Sequence, residues 1–162
     1  FDTGARLSEI ANLNLDDLDL VQDVIRCIGK GGRAFAVPFD PKTGKALGRY
    51  LRIRAKHPQA TEYTALWLTD RQRGPLLANG IKMMLKRRGD LVDARRRLGR
   101  NLHAHLGRHY SSHHFLAAGG SEGDLMRLRD WRSPEMARRY GASAAVERAH
   151  DSARRIRVGS RI

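Results

Sequence analysis

Residues 24–39, VIRCIGKGGRAFAVPF, decide the fold class. On either side of a Gly-Lys-Gly-Gly break lie short runs in which β-branched and aromatic residues alternate with others, the period of a strand with one covered face. The spacing predicts two antiparallel strands joined by a tight turn at Gly29 to Gly32, the second ending at Pro38, which has no N–H to give to a sheet ladder. The shorter alternating run LDDLDL at 15–20 belongs beside them. Together these predict one small antiparallel sheet near the start of the chain.

Helical spacing takes over on both sides. Upstream, Leu7, Ile10, Ala11 and Leu13 fall on one helical stripe entered through Thr3 and Gly4. Downstream, DPKTGK at 40–45 reads as a polar turn, KALGRYLRIRAKH at 45–57 as a helix, TALWLT at 64–69 as a strand or a turn, and LLANGIKMMLKRR at 76–88 as a helix. Residues 102–118 read as one long helix closed by Gly119 and Gly120. A further helix follows in SEGDLMRLRDW. SPEMARRYG is punctuated by Ser133 as N-cap, Pro134 at the first helical position and Gly141 past the end. The tail from 143 reads as a helix with a frayed basic end. The fold class is therefore mainly α with a small antiparallel β-sheet near the N-terminus.

Composition narrows the partners. The 162 residues carry 31 Lys and Arg against 17 Asp and Glu, a net charge of +14. Residues 1–25 hold one arginine against six acids, so the excess lies downstream, in clusters such as KRRGDLVDARRRLGR at 86–100. Such an excess is best explained by neutralising the phosphates of a nucleic acid, although charge alone does not separate RNA, DNA and anionic lipid. No run approaches the ~18 apolar residues of a membrane helix, so no membrane role is expected. No signal-peptide pattern is present. The single cysteine, Cys27, excludes an internal disulfide and a cysteine-based zinc site and fits a cytoplasmic protein.

The stretch NLHAHLGRHYSSHHF at 101–115 holds five of the seven histidines. At about 100° per residue, His105, His109 and His113 drift over about 80° of one helix face, with His103 and His114 near the opposite side. The 105/109 and 109/113 pairs have metal-ligand spacing. No acid lies between Arg95 and Glu122 to complete a site, however, and Arg108 adds a fixed cation beside His105. No metal is expected. His105 and Arg108, three apart, instead suit two oxygens of one anion.

These residues have company. TGARLSE at 3–9 resembles the first arginine box, TGxRxxE, of the tyrosine recombinase or phage integrase family. VIRCIGKGGRAFAVPF resembles that family's β-hairpin, whose turn carries a lysine. HLGRH at 105–109 resembles its HxLRH box, and DWRSPEMARRY at 130–140 its closing segment, in which His or Trp precedes a tyrosine by nine positions. Four boxes in the family order form a strong signal over residues 3–141.

The resemblance implies the family's DNA breaking-rejoining catalytic-domain fold and site-specific recombination of double-stranded DNA through a 3′-phosphotyrosine, without cofactor. Residues 1–141 would be the catalytic domain, starting at the arginine box and so without the family's first helix and N-terminal DNA-binding domain. Residues 142–162 would be a C-terminal helical basic tail that docks on a neighbouring protomer in a tetramer on DNA. Arg6 and Arg108 would clamp the non-bridging phosphate oxygens. His105 would bond the phosphate or take the tyrosine proton, Lys30 would protonate the leaving oxygen, Trp131 would pack beside the phosphate and Tyr140 would be the nucleophile. Glu9 and His109 would support them. Tyr110, inside the histidine stretch, is the competing nucleophile and is set aside on spacing. The chain departs from the family pattern at Gly107 (usually Leu), at Asp130 (usually Gly) and at Tyr110-Ser111 (usually Thr-Phe). These departures keep a non-catalytic DNA-binding remnant as the alternative.

Overall fold

A computed structural model describes residues 2–29, 31–99, 101–142 and 145–156. It divides into two compact units, Phe1–Arg108 and His109–Ile162, and each is described by itself.

The first unit is built around the hairpin. Strands β1 (Leu18–Asp19), β2 (Val24–Ile28) and β3 (Ala34–Pro38) form an antiparallel sheet in that order. Ile25 faces Val37 and Cys27 faces Phe35 across the β2–β3 ladder. Alternation does what the sequence requires of it: Ile25, Cys27 and Val37 enter a core with Leu13, Phe39 and Leu66, while Arg26 and Ile28 stay outside. Gly31 and Gly32 turn the chain at φ +86° and +77°, conformations that cost a side-chain-bearing residue. Lys30 lies outside the described residues.

Helices α1 (Leu7–Ala11), α2 (Pro41–Arg54), α3 (Ala78–Leu91) and α4 (Ala94–Leu98) complete this unit. The stretch read as a polar turn at 40–45 is instead the first turn of α2. The Asp40 carboxylate accepts the Lys42 N–H at 2.7 Å and Pro41 occupies the first helical position, a strong start signal. The separate short helix α4 was not anticipated; Asp93 enters it at φ +49° and Gly99 ends it at φ +67°. The segment 64–69 is neither a full strand nor a simple turn: it makes single bridges, Asn14 to Ala65 and Leu68 to Pro75.

That segment is fastened by two side chains of α2. The Tyr50 hydroxyl donates to the Leu66 carbonyl at 2.9 Å and accepts the Leu68 N–H. The buried Arg54 guanidinium donates to the carbonyls of Ala60, Tyr63, Ala65 and Leu66. The cation is thus held by carbonyl dipoles, which satisfies its donors without a carboxylate. Trp67, fixed in turn, donates its indole N–H to the Ile10 carbonyl at 2.7 Å, tying the segment to α1.

Helix α5 (Ala104–Ala117) contains the boundary between the two units. The second unit adds α6 (Glu122–Arg129), α7 (Pro134–Gly141) and α8 (Ala145–Ile156). Ser121 and Ser133 cap α6 and α7 by accepting the N–H groups of Asp124 and Glu135. The core is Leu116, Leu125, Trp131, Ala137 and Tyr140. Asp130, where the family pattern has glycine, ends α6 in the left-handed region at φ +48°. That conformation explains the glycine, and aspartate is among the residues that tolerate it best.

Candidate active site

The first unit gathers four of the expected residues, Arg6, Glu9, His105 and Arg108, from distant parts of the chain. Arg6 stands at the N-cap of α1, and Glu9, one turn on, accepts the Arg6 backbone N–H at 2.6 Å while pairing with its guanidinium. The TGxRxxE spacing therefore has a local cause, because a glutamate three residues after the cap reaches back to an otherwise unpartnered helix N–H. Gly4 sits at φ +56°, and its carbonyl accepts Arg108 Nη1 at 2.9 Å. Arg108 is 5% exposed, and the Glu9 carboxylate lies 4.0 Å from the same nitrogen. One buried carboxylate thus holds Arg6 and faces Arg108.

On the open side of these groups is a cavity of about 270 Å³, lined by Arg6, Lys82, His103, His105 and Arg108 among others. Two of these were not anticipated. His103, set on the opposite face by helical projection, precedes the first residue of α5, so the projection does not extend to it. Its Nδ1 accepts the Leu106 N–H at 3.2 Å as a cap does, and it lines the cavity. Lys82 arrives from α3, and no spacing in the sequence relates it to residues twenty or more positions away. Gly107 opens onto a second, apolar cavity of about 460 Å³ walled by Ile10, Leu13, Leu66 and Ile81, which is where the usual leucine of the HxLRH box would add bulk.

The second unit brings together Trp131, Tyr140 and His109. The indole of Trp131 stacks on the Tyr140 ring, centroids 4.8 Å apart, and the His109 imidazole lies 4.2 Å from that ring. Tyr140 is 6% exposed, whereas Tyr110 is 57% exposed and rests on His114. Among the described residues no group of three or more His, Cys, Asp or Glu side chains converges as a metal would need, and no helix is long and apolar enough to cross a membrane.

The fold formed by these elements is that of solved recombinases. XerA recombinase aligns over 93% of this chain and 54% of its own, with a TM-score of 0.80 and 24% identity. The integrase of transposon Tn1549, solved in complex with transposon right end DNA, aligns over 97% of this chain and 56% of its own, at TM-score 0.74 and 20% identity. In sequence, residues 1–147 match the Phage integrase family, and the chain belongs to it. Tyrosine recombinase XerC of Pseudomonas fluorescens is 34% identical over 116 residues, covering 72% of this chain and 36% of the relative; that of Pseudomonas entomophila is 35% identical over the same span. The chain spans about a third of the length of these curated relatives.

Proposed function

We propose that this chain carries the catalytic core of a tyrosine-type site-specific recombinase, which cuts and rejoins strands of duplex DNA through a 3′-phosphotyrosine. The observation that carries the reading is the cavity of the first unit, where Arg6 and His105–Arg108, about a hundred positions apart in sequence, meet over a buried glutamate. Two fixed guanidiniums and an imidazole match a phosphodiester whose transition state gathers charge on its non-bridging oxygens. Membership of the family and the DNA complexes of its solved relatives support the same substrate.

In this reading the Tyr140 hydroxyl attacks phosphorus and passes its proton to a base, for which His105 is the candidate. The bond from phosphorus to the 5′ oxygen breaks, and that oxygen takes a proton from Lys30. A 3′-phosphotyrosine remains. A 5′-hydroxyl then attacks it and gives its proton back to Lys30, the tyrosine leaves and takes back the proton held by His105, and the strand is rejoined with no net loss of phosphodiester bonds, so no ATP is consumed. Glu9 keeps both arginines in place, and Trp131 and His109 hold the Tyr140 ring.

Residues 1–141 are read as the catalytic domain and 142–162 as its tail. Helix α8 supports a protein partner: Val146, Ala149, Ala153 and Ile156 recur at three- and four-residue spacing and are exposed. A second copy of the chain on the same DNA, within a tetramer, is the partner this reading assigns. The place of action is the cytoplasm, at the nucleoid.

The test uses nicked suicide duplexes randomised over the cleavage site, with products resolved on a denaturing gel. A protein–DNA adduct is expected, either with the chain itself or with a version extended at its N-terminus to the relatives' length. Binding without any adduct in both would replace this reading with that of a DNA-binding remnant.

A further inference from the structure

The phosphate cavity is walled by one lysine that no family motif supplies. Arg6 and Arg108 bring two positive charges, and Glu9, paired with one and facing the other, removes one. A phosphodiester carries one negative charge, and in the transition state of attack that charge gathers on its non-bridging oxygens. Among the described residues the cavity wall also carries Lys82, exposed on α3, beyond the two arginines and the histidines. From this we infer that Lys82 is a further phosphate-binding residue of the cavity, delivered by α3 to the same phosphodiester that Arg6, His105 and Arg108 hold.

The helix fixes this placement. Ile81 is buried and anchors α3, which packs against α1. Lys82, the next residue, is rotated about 100° from it, so its stem leaves the packed face and joins the wall of the cavity that Arg6 also lines. A lysine suits the position chemically. Arg108 is fixed by the Gly4 carbonyl and Arg6 by Glu9, whereas an ammonium on a flexible stem can follow the phosphate as its geometry changes from tetrahedral to five-coordinate. Lys82 in this role adds one unit of positive charge where negative charge develops.

The inference rests on the proposed recombinase reading for its ligand, and the experiment has two arms that fail separately. In the first, binding of a 30-bp random duplex is measured against salt concentration for the wild type, Lys82→Gln, Lys82→Arg and Lys56→Gln. Lys56 is an exposed lysine of the same unit that does not line the cavity. Loss of one phosphate contact lowers the slope of log affinity against log salt by about 0.9. That decrease is expected for Lys82→Gln alone, with Lys82→Arg at the wild-type slope. In the second arm, adduct formation at saturating protein is expected to slow at least about tenfold in Lys82→Gln and to recover in Lys82→Arg. A wild type that binds but forms no adduct defeats the recombinase reading, and the first arm still decides the role of Lys82. An unchanged slope in Lys82→Gln, or an equal decrease in Lys56→Gln, overturns the inference. Circular dichroism of each variant checks that the fold is kept.

Discussion

Trp131 stacks on Tyr140, with ring centroids 4.8 Å apart and planes inclined by 22°. Both side chains belong to one small core with Leu116, Leu125 and Ala137. The residue assigned as nucleophile is therefore positioned by packing within its own unit, and the tryptophan nine positions earlier is what it packs on.

Truncating the stack should release the tyrosine. Trp131→Ala is expected to destabilise the protein by about 3–5 kcal/mol, the usual cost of removing a large buried aromatic side chain. It should also expose Tyr140 to tetranitromethane. Trp131→Phe, which keeps a ring against Tyr140, is expected to cost about 1.5 kcal/mol or less and to leave Tyr140 protected. Urea unfolding and peptide mapping after nitration measure both, with the exposed Tyr110 as the internal reference for reactivity.

Glu9 separates stability from affinity. Its carboxylate caps α1, pairs with Arg6 and lies 4.0 Å from a buried guanidinium. Glu9→Ala removes the carboxylate that faces buried Arg108 and pairs with Arg6, and is expected to cost about 3 kcal/mol, at the low end for such a loss because the distance is long and Arg6 is partly exposed. Glu9→Gln keeps an acceptor for the cap and should cost less. Because it also raises the cavity's positive charge, Glu9→Gln should bind a random duplex at least as tightly as the wild type while forming adduct more slowly. Weaker binding by Glu9→Gln would show that the glutamate does not act on charge in this way.

Cys27 reports on alkaline stability. Burial, reinforced by the carboxylates of Glu9 and Asp17, pushes its thiol from an ordinary 9.0 up to about 12. Above pH 9 the unfolded chain gives up this proton and the folded chain keeps it. The contribution to stability is complete below pH 9 and is lost as pH rises toward 12, at no more than about 1.4 kcal/mol per pH unit. Urea denaturation at pH 8 to 10.5 should show a steeper decline for the wild type than for Cys27→Ala. At pH 8 the folded thiol should resist iodoacetamide and react only on unfolding.

The sequence made the hairpin, most helices and the four family boxes legible because each rests on local chemistry: alternation across β2 and β3, caps at Ser121 and Ser133, the reach of Glu9 back to Arg6. Two local signals are ambiguous in the sequence. Asp40-Pro41 is a helix start that the neighbouring Gly44 and polar residues disguise as a turn, and His103 stands one residue before the helix onto which its spacing projects it. The rest was tertiary. Nothing near Arg54 in sequence announces four carbonyls from residues 60–66, and Lys82 joins Arg6, His105 and Arg108 only because α3 packs on α1.

On the proposed function Tyr140, and not the more exposed Tyr110 of the histidine-rich helix, makes the covalent bond to DNA. Mass spectrometry of the protease-digested adduct locates that bond. A nucleotide-bearing peptide that contains Tyr140 is expected, lost in Tyr140→Phe and retained in Tyr110→Phe. Attachment at Tyr110, or an adduct that survives Tyr140→Phe, would contradict it.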